Sequence, residues 1–406
     1  MMKIVNPKFI ITNEEILENC AVVFNEKIVE IGKFDELVKK YDKLEIVETP
    51  TNSLLMAGVV NAHVHLEFSA NKDSLKYGSF MPWLNSVIGS REELINDCGS
   101  TCISDAIKKM LESGTTAFGA ISSYGMDLQE ASKAKQKVVF FNEVIGSQAV
   151  MADALYGDFL ARLDASKSVK RDGFYPAIAI HSPYSVHPIL VKKALHVAKD
   201  EKLKVSSHFL ESSAEREWLD ESKGEFKEFF ANFLKQDRAV ATPMEFLKQF
   251  EGLHVLFTHA TKANDEELDF IASNNHYITH CPISNRLLGN GALDITKLKE
   301  KSVTCNIATD GLSSNYSLNL FEEMRAALFM HHSNDLQELA HNLIRAATIN
   351  PANALGLNCG DIAPSLDADM LLLEVDKNTT KESLELFIIM HDNLIRKIFI
   401  NGEDVK

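Results

Sequence analysis

Between Leu54 and Ala308 the chain alternates short apolar, β-branched runs with longer stretches of helical spacing, and the apolar runs number eight. That alternation builds βα units around a parallel sheet, and eight strands close such a sheet into a barrel. The runs are Leu54 to Asn61, Thr115 to Ile121, Lys137 to Val144, Tyr175 to Ile180, Lys204 to Ser207, His254 to Thr258, Tyr277 to Thr279 and Thr304 to Ala308. Helical spacing is clearest at Ile103 to Glu112, Pro188 to Ala198 and Leu320 to Phe329. The expected fold class is therefore α/β, a (β/α)8 barrel of the TIM type over residues 55–358. Outside it, Lys3-Ile4-Val5, Phe9-Ile10-Ile11, Ala21 to Phe24, Ile28 to Ile31, Met370 to Val375 and Ile395 to Ile400 read as strands separated by polar turns. Residues 1–54 and 359–406 are expected to pair into one small sheet domain.

Composition narrows the partners. Lys and Arg total 42 against 57 Asp and Glu, a formal net charge of -15, which argues against a polyanion because nucleic-acid binding draws on a basic face. No uninterrupted apolar segment approaches the ~20 residues that span a bilayer, so no membrane partner is expected. Met1 to Glu15 also lacks a secretory leader's apolar core, and the expected location is cytoplasmic. The six cysteines (Cys20, Cys98, Cys102, Cys281, Cys305 and Cys359) form no CxxC pair, against a disulfide framework or thiolate zinc site.

Active sites of such barrels are built at the carboxyl ends of the strands, and the polar oddities of this chain collect there. The first run ends in Asn61-Ala62-His63-Val64-His65, whose two histidines share one face because strand side chains alternate. His181 follows the fourth run, His208 and Glu211 the fifth, His259 the sixth, His280 the seventh and Asp310 the eighth. His63, His65, His208 and Asp310 supply three imidazoles and a carboxylate, a donor set that suits a catalytic zinc and lowers the pKa of its water towards ~7. Glu211, three residues beyond His208, is placed to carry protons without being a ligand. His259 either holds the attacking hydroxide or stabilises developing charge, and Asp310 accepts a second proton. The longest insertion, Ser212 to Gly252, carries Phe226, Phe229, Phe230 and Phe233 at helical spacing, either as core packing or as a roof over the barrel mouth.

Gly58 to His65, His181-Ser182-Pro183-Tyr184, Ser207 to Glu211, Thr258-His259-Ala260, His280 to Asn285 with Leu288 to Gly291, and Thr309-Asp310-Gly311 with Ser314-Asn315 together resemble the amidohydrolase superfamily. The resemblance is to its cytosine-deaminase-like branch, which includes the methylthioadenosine and S-adenosylhomocysteine deaminases and the chlorohydrolases. It implies one divalent ion on His63, His65, His208 and Asp310, with zinc expected ahead of iron. Glu211 would then act as proton shuttle, His259 would sit beside the hydroxide, His181 and Ser314 would meet the substrate, and the termini would form a composite β-sandwich. No lysine ends the fourth run, where binuclear relatives carry a carboxylated one, so a single metal is favoured.

Phe80-Met81-Pro82-Trp83-Leu84 and His208 to Trp218 are similar to the subgroup that removes the 6-amino group of 6-amino-6-deoxyfutalosine, an adenine nucleoside of menaquinone synthesis. Other adenine nucleosides, or a guanine or triazine ring, stay open at this point, as does a metal-binding module without turnover. Two positions depart from the family pattern: Met56-Ala57-Gly58 lacks the usual proline, and Pro82 replaces a ribose-binding glutamate. Phe80 and Trp83 either pack at the barrel mouth or stack on substrate. The futalosine-type substrate carries a benzoate carboxylate, for which Arg286 is the candidate partner, with Arg216 as second choice; each is otherwise a solvated surface arginine. A homodimer is the assembly expected, if any.

Overall fold

The computed structural model describes residues 1–70, 74–392 and 394–406, and of Leu394 only the backbone. Eight parallel strands run in chain order around a barrel: Val59–Val64, Thr115–Ser122, Lys137–Val144, Phe174–Ile180, Val205–Phe209, Val255–His259, Tyr277–His280 and Thr304–Ile307. Residues on both faces of the second and third strands are buried, as expected for strands covered by helices outside and side chains within. The first and eighth strands meet through a side chain. Buried Asn61 donates to Thr309 Oγ1 at 2.7 Å and accepts from the Thr309 amide at 3.2 Å, and the Asp310 amide donates to the His63 carbonyl at 3.2 Å.

The termini add two sheets. One orders Ile28–Gly32, Ala21–Phe24, Lys3–Val5 and Glu45–Val47; the other interleaves both ends of the chain as Glu403–Asp404, Leu394–Ile400, Met370–Glu374, Ser53–Ala57, Phe9–Ile11 and Ile16–Glu18. Val22, Phe24 and Val47 pack against Leu55, Met370 and Phe399 between them, with the Phe24 and Phe399 rings 5.3 Å apart, edge to face. Burying such apolar faces against one another is what makes two small sheets stable together.

The run read as one strand from Leu54 to Asn61 is two strands. Ser53–Ala57 pairs with Met370–Glu374 in the terminal sheet, and Val59–Val64 opens the barrel, so a boundary between residues 54 and 55 would cut a strand. Hydropathy is continuous across the change of sheet, which hides it; Gly58 marks it. A β-carbon there would lie 2.1 Å from Thr116 Oγ1, so only glycine permits the close approach.

Helices fill the connections; Phe80–Gly89 was not anticipated, and the helix expected over Ile103 to Glu112 reaches back to Arg91, with a kink at Gly99. The insertion after the fifth strand folds into Ser213–Glu221, Glu225–Leu234 and Pro243–Lys248. Its Phe226 packs 4.6 Å from the Tyr184 ring and 6.1 Å from Phe80, so the stripe is core packing that backs the two rings on the cavity wall. Among the described residues no helix is long and apolar enough to cross a membrane.

Candidate active site

The strand-end residues converge. The His63 and His65 Nε2 atoms are 3.1 Å apart, His65 Nε2 is 3.3 Å from His208 Nε2, and Asp310 Oδ1 lies 3.6 Å from His63 and 3.5 Å from His65. Outer partners turn these rings inward. His208 Nδ1 donates to the His181 carbonyl at 2.8 Å, leaving Nε2 as a lone pair, and His63 Nδ1 lies 3.2 Å from Thr258 Oγ1. The Ser284 and Ser314 hydroxyls both donate to Asp310 Oδ2 at 2.8 Å. Burial lowers the pKa of His65 to about 3, aided by the neighbouring His63, and pushes His208 well below its ordinary value. Burial alone would raise Asp310, but the imidazoles around it hold its carboxyl well below the usual range. Neutral nitrogens and a carboxylate aimed at one point repel each other unless a cation lies among them. This donor set fits a zinc-class divalent ion, and the His63, His65 and His208 ligand atoms lie within 4.8 Å of one another.

Beside that point sits a second group. Glu211 is 6% exposed, accepts from Asn290 Nδ2 at 3.1 Å, and has Oε2 3.7 Å from His259 Nε2. Burial, with the charges of Asp310 and Glu215, raises its pKa well above the ordinary carboxylate value. Its loop is held by fully buried Glu215, which accepts the backbone N–H groups of Leu210 and Glu211 at 3.1 and 2.7 Å. His259 and Asp310 end their strands with φ of 72° and 59°, left-handed values that cost a non-glycine residue about 1–2 kcal/mol. Such strain aims both side chains across the barrel mouth.

The sequence reading missed what orients His259. Asn285 accepts from His259 Nδ1 at 3.0 Å and donates to His280 Nδ1 at 3.3 Å, and His280 Nε2 lies 3.1 Å from His331 Nε2. This chain leaves His259 Nε2 as an acceptor facing Glu211, and burial lowers its pKa to about 4. His331, to which no role was assigned, is part of that chain. Its position at the C-terminal cap of the helix Leu320–Met330 offered no local signal.

One cavity is lined by His65, His208, Glu211, His259 and Asp310 together with Phe80, Trp83, His181 and Ser314. Trp83 Nε1 donates to the Ser313 carbonyl at 2.8 Å, which holds the ring at the wall. His181 Nδ1 lies 2.6 Å from Ser185 Oγ, turning its other nitrogen to the cavity, and burial lowers its pKa to about 4. Two expectations fail. Arg286 is exposed and does not line the cavity: on the helix Pro282–Leu287 its predecessors Ser284 and Asn285 face inward, and a turn of 100° per residue carries Arg286 outward. Arg216 is paired with Glu267 at 2.6 Å and Asp220 at 2.8 Å, away from the same lining. Two residues not anticipated do line it, Glu143 and Arg91. The Glu143 carboxyl takes the Ser123 hydroxyl at 2.5 Å, leaves Oε1 buried without a partner, and is raised by burial to about 7.

Comparison with known proteins agrees with this geometry. The Amidohydrolase family model matches residues 54–405. The chain is 50% identical over 404 residues to the aminodeoxyfutalosine deaminase of a Nitratiruptor species, covering 99% of each. It is 37% identical over 396 residues to the adenosine deaminase of Helicobacter pylori, covering 96% of each. The crystal structure of Helicobacter pylori aminofutalosine deaminase in complex with methylthio-coformycin matches at TM-score 0.94 and 36% identity over 100% of both chains. The chain belongs to the amidohydrolase family and is a hydrolase of carbon–nitrogen bonds.

Proposed function

We propose that the protein replaces the 6-amino group of an adenine nucleoside by oxygen, with 6-amino-6-deoxyfutalosine as substrate and futalosine and ammonia as products, within menaquinone synthesis. His63, His65, His208 and Asp310 would hold one zinc ion, which when bound acidifies a water so that it is nucleophilic near neutral pH. The observation that carries the reading is Glu211: a buried acid whose pKa is raised by burial and the neighbouring carboxylates, held by Asn290 and standing 3.7 Å from His259 without any call on it as a ligand.

In the reaction, oxygen from water adds to C6 while Glu211 exchanges protons between that water and ring N1. His259 orients the water through its Nε2 lone pair. Asp310, its Oδ2 fixed by two serine hydroxyls, takes the second water proton and passes it to the leaving amine. The C6–N bond breaks, ammonia leaves with the electron pair, and the ring keeps the oxygen as its 6-oxo group. His181 meets the ring from the fourth strand, and Phe80 and Trp83 wall the nucleoside. The full-length likeness to the Nitratiruptor aminodeoxyfutalosine deaminase supports this substrate over other adenine nucleosides.

The test is the relative kcat/KM of the metal-loaded protein for 6-amino-6-deoxyfutalosine, methylthioadenosine, S-adenosylhomocysteine and adenosine, followed by ammonia release. The first is expected to lead. Equal or better turnover of adenosine would overturn the substrate assignment but leave the chemistry intact.

A further inference from the structure

We propose that Arg91, stacked on Tyr124 at the cavity mouth, is the subsite for a carboxylate carried at the end of the substrate remote from the reacting ring. This rests on the reading that the substrate is an adenine nucleoside with an anionic 5′ extension. Its starting point is a charge imbalance. The carboxylates of Glu143, Glu211 and Asp310 line the cavity, and Arg91 is the single arginine or lysine among the described lining residues. Arg91 also has no carboxylate within ion-pair distance among the described residues, whereas Arg216, the other arginine weighed for the substrate's carboxylate, is paired with both Asp220 and Glu267.

The guanidinium is positioned. It lies 4.6 Å from the centroid of the Tyr124 ring, a cation–π contact that holds the group at the cavity wall, where its N–H donors suit a carboxylate. Tyr124 is itself fixed from below. Glu67, 2% exposed, accepts the backbone N–H groups of Ser123, Tyr124 and Met126 at 2.8 to 3.0 Å, and Phe68 meets the Tyr124 ring edge to face at 6.2 Å. Glu67 lines no part of the cavity, so its burial serves the platform.

The wall leading to Arg91 has the matching chemistry. Phe80, Trp83, Leu84, Val87, Ile88 and Arg91 all line the cavity at helical spacing, an apolar stripe that ends in a cation. Trp83 and Ile88 belong to the helix Phe80–Gly89, and Arg91 opens the next helix just beyond Ser90, so the cation follows directly on the apolar stripe. An aryl or alkyl extension from the 5′ carbon would lie along the stripe and place a terminal carboxylate at the guanidinium. A neutral 5′ substituent would leave Arg91 idle.

The experiment compares 6-amino-6-deoxyfutalosine with its methyl ester, which differ only in the charge at that end, on the wild-type protein, Arg91→Met and Arg91→Lys. The wild type should favour the acid in kcat/KM by about 10- to 100-fold, the usual worth of a charge-assisted hydrogen bond. The preference should vanish in Arg91→Met through KM, recover in part in Arg91→Lys, and weaken with added salt in the wild type. An undiminished preference in Arg91→Met overturns the proposal, as does equal loss on acid and ester. If the wild type turns over neither compound yet deaminates methylthioadenosine, the substrate reading fails instead. Inhibition of that reaction by the acid against the ester, in wild type and Arg91→Met, then reads the subsite directly, with the same outcomes deciding it.

Discussion

Two clusters of buried ionisable groups lie at opposite ends of the barrel, and they are built on opposite plans. At the amino-terminal end of the third strand, Lys137 reaches Asp367 at 2.8 Å and Asp369 at 2.5 Å, Asp369 also takes the Asn401 amide at 2.8 Å, and Asp367 takes Lys27 at 2.9 Å and Asn358 at 3.0 Å. Every charge there faces one of opposite sign from another segment, so the cluster is closed and fastens the barrel to the terminal sheets. At the carboxyl-terminal end, lone pairs of His63, His65 and His208 and an oxygen of Asp310 face each other. That cluster is complete only with a cation from outside. Burial of charge therefore does not by itself mark an active site; buried acceptors that converge without a donor do.

This contrast can be broken in several ways. The largest expected effect is on catalysis: Glu211→Gln should lower kcat by about 10²- to 10⁴-fold with metal content unchanged, because it removes a proton carrier and no ligand. A variant with normal turnover, or one that loses its metal, removes Glu211 from its role. At the other end, Lys137→Met should cost about 3–5 kcal/mol in denaturant unfolding by leaving buried Asp369 without a counter-charge, with kcat/KM of the folded fraction retained. If activity falls instead, the two ends are coupled.

Acid separates the clusters further. The folded metal-free protein keeps His65, His181 and His259 neutral, with pKa values of about 3, 4 and 4, while the unfolded chain protonates such rings below pH ~6.5. For each of these rings the unfolded state then binds more protons, which costs about 2 kcal/mol per ring at pH 5, while Glu143, raised by burial to about 7, takes its proton first in the folded state and opposes the loss. Thermal melts of the metal-free protein and of His181→Asn at pH 7 and pH 5 isolate one ring: the variant should lose about 2 kcal/mol less than the wild type across that interval, and equal changes would mean that the His181 ring is not held neutral. The smallest effect is expected at Asn285→Leu, which releases His259 from its tautomer: about 10- to 100-fold in kcat, with metal content and KM nearly unchanged.

How much of this was legible beforehand follows from range. HxH after one apolar run, HxxE after another, and single His or Asp residues after four more are local patterns, and the barrel turns strand ends into neighbours wherever they lie in the chain. The residues with no signal owe their places to packing. Arg91 and Tyr124 meet across 33 positions, and His280 and His331 across 51. The split at Gly58 was hidden because both strands are equally apolar, and only the approach of Thr116 from the next strand distinguishes that glycine.

The order of strands and helices, and the placing of chemically active side chains at strand ends, are properties of hydrophobic period and residue type that each segment carries alone. Which arginine faces the cavity, which nitrogen of His259 bears the proton, and which of two charge clusters needs a cation depend on helix phase and on partners supplied by distant segments. Those choices exist only once the chain has packed, because a hydrogen bond or a clash is a relation between two surfaces.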